Sequence, residues 1–373
     1  MITSISIDNF RCFSGFHWSP GSLNILLGQN GSGKTSVFDA LERLRDVISG
    51  DSTEALFPAD TLCKWRAESD AVQSFRLCLD ADGGRYDYQL QIEHQPVGDL
   101  KNRIRSESLS FNGQPVVEFD GKEVRLHADD GSGDTTWPFP LPRSAISFFP
   151  ETPGTRRLAC FRKHVSCIRV FSPNPKVMGG LVKKPDSHPE RSLANFAEWL
   201  FAMQAADFQI GVALANSLRE AIRGFSTHRF AKVSSTAHEL FVHFDYRDDN
   251  NQILNRVELS FDALSEGQRQ LFAIYSILHA AVIQNATVCI DEPDNYVALR
   301  EIQPWLSAVQ EATEDHACQI LIISHHPELI NQLAAHSGTL FERSESGTTT
   351  CRRFEWKDQE HATPAELVAR GWE

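Results

Sequence analysis

Apolar and polar residues alternate at the start of the chain, where Ile5 and Ile7 are interleaved with Ser4, Ser6 and Asp8. Successive side chains of a strand point to opposite faces, so this run predicts a strand with one face in water. The next apolar run, Leu23 to Leu27, is nearly continuous and predicts a strand covered on both faces. A glycine-rich run follows it directly. Beyond that, Val37, Leu41 and Leu44 recur at helical spacing, so the glycine-rich run joins a strand to a helix.

From about residue 74 to 127 the pattern becomes one of short alternating strands. Phe75, Leu77 and Leu79 alternate with Arg76, Cys78 and Asp80, and Tyr86, Tyr88, Leu90 and Ile92 follow a turn at Asp82-Gly83. Leu109 and Phe111 precede Asn112-Gly113, and a further turn falls at Asp120-Gly121. Asn-Gly and Asp-Gly tolerate positive φ and mark hairpins, so an antiparallel sheet is predicted. Residues 172–191, rich in Pro, Gly, Lys and Ser, predict a mobile loop or linker. Leu193, Phe196, Leu200 and Met203 predict one face of a helix, and runs near 240–246 and 257–261 predict a strand pair. Leu271, Ile274, Leu278 and Val282 then mark the buried face of a helix that Ser265 caps. No heptad is sustained, which excludes long coiled-coil arms.

Composition narrows the class. Of 373 residues, 41% are hydrophobic and 23% charged, as in an ordinary soluble globular protein. No apolar run approaches the ~18–20 residues of a spanning helix, and no basic region with a long apolar stretch opens the chain. A cytoplasmic protein is the expectation. The 8 cysteines form no CxxC pair, which argues against a zinc or disulfide framework. A net charge of −13 argues against a surface that coats nucleic acid everywhere. Arg156, Arg157, Arg162 and Lys163 nevertheless cluster where carboxylates are few. Such runs are ordinarily solvated faces; the alternative is a patch for nucleic acid phosphates or an acidic partner.

Four stretches carry chemistry. Gly28, Gln29, Asn30, Gly31, Ser32, Gly33, Lys34 and Thr35 fit G-x-x-x-x-G-K-[ST], in which glycines let backbone N–H groups curl around phosphate. Lys34 would reach the β- and γ-phosphates and the Thr35 hydroxyl would hold Mg²⁺. Ser265, Glu266, Gly267 and Gln268 open a helix, where Ser265 offers a cap and a hydroxyl and Gly267 lets a phosphate approach. The run Thr287 to Ile290 is a buried strand ending in Asp291 and Glu292, the first suited to the Mg²⁺ shell and the second to activating water. A further apolar strand, Gln319 to Ile323, precedes His325 and His326, of which one is placed to meet a γ-phosphate.

In this order the four stretches resemble the ABC ATPases. They are similar, more narrowly, to the SMC/RecF/OLD-like branch with its stand-alone bacterial ATPases of DNA repair and anti-phage systems. Ile7-Asp8-Asn9-Phe10-Arg11 is similar to that branch's N-terminal strand and turn. The resemblance implies an α/β fold: a P-loop NTPase head of ABC type with a mixed core sheet, a flanking antiparallel sheet and a helical insertion. The expected division is an N-terminal lobe over 1–140, a basic, partly helical insertion over 141–230 and a C-terminal lobe over 231–373.

The resemblance further implies ATP and Mg²⁺ as ligands, Glu292 and His325 (rather than His326) as catalytic, and a homodimer enclosing two nucleotides. In that dimer Ser265, Gly267 and Gln268 contact ATP on the opposite subunit, and residues 295–299 link the two sites. The glutamine loop stays open among Gln73, Gln89 and Gln91. Proteins of this kind switch a partner, here a separate nuclease or effector. Two alternatives are a transporter's nucleotide-binding subunit and an OLD-like nuclease. The long separation of Lys34 from Ser265 disfavours the first, and the short stretch after Pro327 disfavours the second.

Overall fold

The computed structural model describes residues 1–65, 71–94, 101–131, 133–139, 143–248, 252–314, 318–356 and 362–370. They group into two compact units, one of residues 1–169 with 330–373 and one of residues 170–329.

The first unit holds an antiparallel sheet of eight described strands. Across the sheet they run Phe16–Trp18, Ile2–Asp8, Val72–Ala81, Gly84–Glu93, Arg103–Phe111, Gln114–Phe119, Glu123–Leu126 and Thr135–Pro138. The predicted hairpins are present: Asp82-Gly83 and Asn112-Gly113 take the left-handed φ values that tight turns require. Register pairs Phe75 with Leu90, Leu77 with Tyr88 and Leu79 with Tyr86, so one face is apolar and buried. Helix Arg156–Ser166 packs there, its Phe161 ring 5.6 Å from both Tyr86 and Tyr88. Glu107 is buried in the same layer, where its carboxylate accepts bonds from the Tyr88 hydroxyl (2.8 Å), the Ser144 hydroxyl (2.6 Å) and the Ala145 N–H (2.7 Å). Burial outweighs those bonds and pushes its pKa above the ordinary value.

The same unit carries a smaller mixed group of strands. Leu23–Leu27 runs parallel to Gly338–Arg343, which pairs antiparallel with Thr349–Arg353. Helix Lys34–Ser49 buries Val37, Leu41 and Leu44, as their spacing predicts.

In the second unit, strands Thr287–Asp291 and Gln319–Ile323 pair in parallel, with Thr287 opposite Gln319 and Asp291 opposite Ile323. Helix Glu266–Gln284 is buried on nearly every side from Gln270 to Ala281, which makes it a core helix and not an amphipathic one. Trp305 of helix Leu299–Glu314 donates its indole N–H to the Ile274 carbonyl at 3.1 Å. A second antiparallel sheet is built on His238–Arg247, which pairs with Phe225–Lys232, Ile253–Ser260 and Leu181–Val182.

Two expectations are corrected. Helix Phe196–Ala206 begins after Leu193, which is buried outside it with φ +58. Residues 172–191 are not a free linker. Ser172 donates to the Arg191 carbonyl (2.8 Å), Gly180 donates to Asp262 (2.7 Å), and Leu240 donates to the Gly180 carbonyl (2.9 Å). Composition marks such a stretch as irregular, but backbone bonds to distant residues hold it down. No described helix is long and apolar enough to cross a membrane.

Candidate functional site

The phosphate-type loop lies in the first unit and is already curled. Gly28 and Gly33 have φ +131 and +102, conformations that a side chain opposes. Space opposes one too. A Cβ on Gly28 would fall on the Phe341 carbonyl, and one on Gly33 would meet Cys12 Sγ at 2.9 Å and Thr349 Oγ1 at 3.0 Å. Thr349 braces the loop from the neighbouring hairpin: its hydroxyl donates to the Ser32 carbonyl and its N–H to the Cys12 carbonyl, both at 2.9 Å.

Lys34 is 5% exposed, and its ammonium donates to the carbonyls of Gly28 (2.7 Å) and Gln29 (2.9 Å). The Ser32 hydroxyl is buried without a hydrogen-bond partner. An orphaned donor beside an ammonium, at the start of a 16-residue helix with no acid in its first turn, suits an anion. Gln29, Asn30, Gly31 and Thr35 are exposed along the loop. Behind it, Arg11 pairs with Asp39 of the same helix.

The other predicted residues lie in the second unit. Asp291 ends its buried strand half-buried, and Glu292 is exposed with φ +53. Glu292 extends the parallel ladder by one bond, donating its N–H to the Ile323 carbonyl at 2.8 Å. Its carboxylate accepts from Asn295 Nδ2 at 2.6 Å. The strand register therefore brings Glu292 and His325 to the same end of the pair. Of the two histidines, His326 is engaged: its Nδ1 accepts from the Glu328 N–H at 3.2 Å, capping helix Pro327–Ser337, while His325 stands exposed.

Ser265 and Gln268 form a reciprocal cap. The serine hydroxyl accepts from the Gln268 N–H at 3.2 Å, and the Gln268 side chain accepts from the Ser265 N–H at 3.0 Å. Gly267 has a job that the sequence did not suggest. A Cβ there would lie 2.7 Å from the Tyr296 carbonyl, so a bare residue lets the helix start close on the loop after the acidic pair. Gln270 secures the same contact by donating to the Pro293 carbonyl at 3.0 Å.

Thr35 in the first unit and Asp291 in the second each carry an oxygen donor of the kind magnesium takes. Among the described residues no group of three or more His, Cys, Asp or Glu is gathered for another metal. Burial pushes the Cys351 thiol up to about 12. Of the candidate glutamines, Gln73 is fully buried and spends its amide on the carbonyls of Asn9 (3.0 Å) and Thr61 (3.1 Å), so its role is internal. Gln91 accepts from Ser106 at 3.1 Å.

The four basic candidates share one helix but not one state. Arg157 lies 3.5 Å from Asp129 with its guanidinium over Phe111, and Arg162 donates to the Ser147 carbonyl at 3.3 Å. Arg156 and Lys163, seven positions apart and so on one helix face, are exposed. Sequence reasoning missed Arg343, which donates to the Gly31 carbonyl at 3.3 Å, and Thr349, because each lies more than three hundred residues from the loop it touches.

Residues 23–331 match the family described as "AAA domain, putative AbiEii toxin, Type IV TA system". Among solved structures the chain is similar to the SMC head domain from Thermotoga maritima, with 12% identity, a TM-score of 0.53 and coverage of 95% of this chain and 99% of that one. It is also similar to an Smc head solved bound to the C-winged helix domain of ScpA, with 13% identity, a TM-score of 0.56 and coverage of 95% and 98%. At such identities the likeness establishes the fold, the α/β P-loop NTPase head that the motifs imply. No curated protein matches significantly.

Proposed function

The chain belongs to this AAA-domain family, and from that premise we propose that it is an ATP-hydrolysing switch that closes as a nucleotide-clamped homodimer. The observation that carries the reading is the phosphate loop: glycines at positive φ, a nearly buried Lys34 at its mouth and the unpartnered Ser32 hydroxyl. A loop folded in advance binds phosphate without a further ordering cost.

Lys34 then draws the β- and γ-phosphates, and the backbone from Gly28 to Gly33 encloses them. Thr35 and Asp291 are the residues that would hold Mg²⁺, which neutralises charge on the phosphates when bound. Glu292, steadied by Asn295, orients and deprotonates the attacking water, and His325 meets the γ-phosphate. Ser265, Gly267 and Gln268 of a second copy complete the site, as the resemblance to SMC-type heads implies. The family description names a putative toxin of a Type IV TA system, and what the switch controls is read here as a separate effector or nuclease on the resemblance alone.

The test is a pair of variants. Glu292→Gln is expected to keep ATP bound and to lower hydrolysis by about 10²-fold or more. It should also hold the protein as a closed dimer in light scattering with ATP and Mg²⁺. Ser265→Arg is expected to bind ATP but neither close nor hydrolyse. Wild-type hydrolysis by Glu292→Gln would remove the catalytic assignment, and by Ser265→Arg the composite dimer.

A further inference from the structure

The strands that support the glycine-rich loop have a cleft of about 450 Å³ at their other end, within the first unit. It is bounded by strand Phe16–Trp18, the starts of Leu23–Leu27 and Gly338–Arg343, and the end of Thr349–Arg353. That volume is in the range of sites for small organic ligands. None of the described residues lining it is an Asp or Glu, although the chain carries 49 of them and a net charge of −13. An anion entering the cleft therefore meets no carboxylate in its wall.

Hydrogen bonding in that wall leaves donors over. Trp18 is 3% exposed, and its indole N–H is buried without a partner. An unsatisfied buried donor costs about 1–3 kcal/mol. The acceptors at the end of helix Pro327–Ser337 are already met. The Ser337 carbonyl accepts from Asn24 Nδ2 at 3.0 Å, and the His336 carbonyl accepts from Arg353 Nη2 at 3.5 Å. That long bond leaves most of the exposed Arg353 guanidinium unspent, and no carboxylate among the described residues pairs with it. The neighbouring Arg352 differs, since Glu342 holds it at 3.0 Å.

We propose that this cleft binds a small organic anion, one of whose oxygens accepts the Trp18 indole N–H while Arg353 holds its charge. The inference stands apart from the reading of the glycine-rich loop. An indole N–H is a donor only, so what satisfies it must be an acceptor. Water would answer the indole but would bring Arg353 no counter-charge. A guanidinium fork matches carboxylate and phosphate oxygens alike, so the ligand is a polycarboxylate or a phosphate ester. A cationic or wholly apolar ligand would leave both groups unmet.

The experiment titrates the full chain with citrate and with glycerol 3-phosphate, without Mg²⁺, by calorimetry. At least one is expected to bind with a Kd of about 1 mM or tighter, and which one does so separates the two sources. Arg353→Gln should weaken that ligand by about tenfold or more, and Arg353→Lys should restore part of the loss. Trp18→Phe keeps a ring but removes the N–H, and should also cost about tenfold. Arg85→Gln takes the same charge from an exposed site of the same unit and should stay within twofold of wild type, as should Lys34→Ala. Binding of neither probe at about 10 mM overturns the site. So does wild-type affinity in Arg353→Gln or Trp18→Phe. An equal loss in Arg85→Gln reduces the effect to net charge, and loss in Lys34→Ala moves the anion to the loop; either refutes the cleft. Should Trp18→Phe not fold, the wild-type protein decides by NMR. Binding that leaves the indole N–H resonances of all 7 tryptophans unmoved refutes the assignment.

Discussion

The glycine-rich loop of the first unit and the acidic strand end of the second were selected by equally short motifs, yet they are built in opposite ways. The loop is enclosed: Lys34 and Ser32 are buried, and Phe341, Cys12 and Thr349 touch it from outside its own segment. The acidic end is open: Glu292 is exposed at positive φ, with one side-chain bond to Asn295. A residue held at a rare φ without a glycine's freedom stores strain, and such positions are found where a site must change state. The contrast is one of enclosure against exposure. On the proposed function, a fixed cradle would suit phosphate capture, and an open carboxylate would suit a group whose last contacts arrive with a partner.

That contrast can be broken at its strongest point by Lys34→Ala. Loss of the ammonium from an enclosed cradle is expected to weaken ATP by at least about 10²-fold, on the scale of a buried charge-assisted bond, with the circular dichroism unchanged. An affinity within twofold of wild type would show that the loop does not bind phosphate.

A matched glycine pair sharpens it at the next level. Gly33→Ala meets both positive φ and the Cys12 and Thr349 side chains, and should cost about 1–3 kcal/mol of stability together with ATP affinity. Gly267→Ala pushes on the Tyr296 carbonyl and should lower hydrolysis several-fold while ATP affinity stays within twofold. Melting curves, calorimetry and turnover on both variants decide. If Gly267→Ala lost affinity as Gly33→Ala does, the two regions would not differ in kind.

Acid provides the mildest probe. In the second unit, burial pushes His228 and His279 down to about 4 from the ordinary 6.5. A histidine lowered on folding leaves the unfolded chain binding more protons in that window, so stability falls as pH drops from about 6.5 towards 4. By pH 5.5 each should cost about 1 kcal/mol. Glu107 in the first unit has the opposite sign. Its raised pKa favours the folded state as pH falls and is lost as pH rises through the folded value. Thermal melts at pH 7.5 and 5.5 should show a loss that His279→Gln reduces by about half. An equal loss in that variant would remove the histidines as its cause.

The sequence by itself determined the local elements and the chemistry they present. Alternation around Phe75 to Leu90 with an Asp-Gly turn leaves little but a hairpin, because a one-residue slip would expose every apolar side chain. Gly28 to Thr35 between a buried strand and a helix reads as a tightly curled loop, which the positive φ of its glycines bears out, and Ser265 with Gln268 spells its own cap. These patterns are legible since their physics acts over a few residues. Between His325 and His326 the sequence could choose only by resemblance; the structure adds that His326 caps the helix that follows, a contact set by the fold.

What only the tertiary structure decided involves partners far along the chain. Thr349 against Ser32, Arg343 against Gly31 and Trp65, and the Tyr296 carbonyl against Gly267 are contacts between segments that no period or motif links. The stretch from 172 to 191 reads as a linker because its composition reports local propensity, whereas the bonds that hold it, to Asp262 and Leu240, are non-local. Folding closes such long loops at an entropic cost that grows only slowly with their length. A single well-placed hydrogen bond or ring contact can therefore fix a segment whose own residues carry no sign of where it will rest.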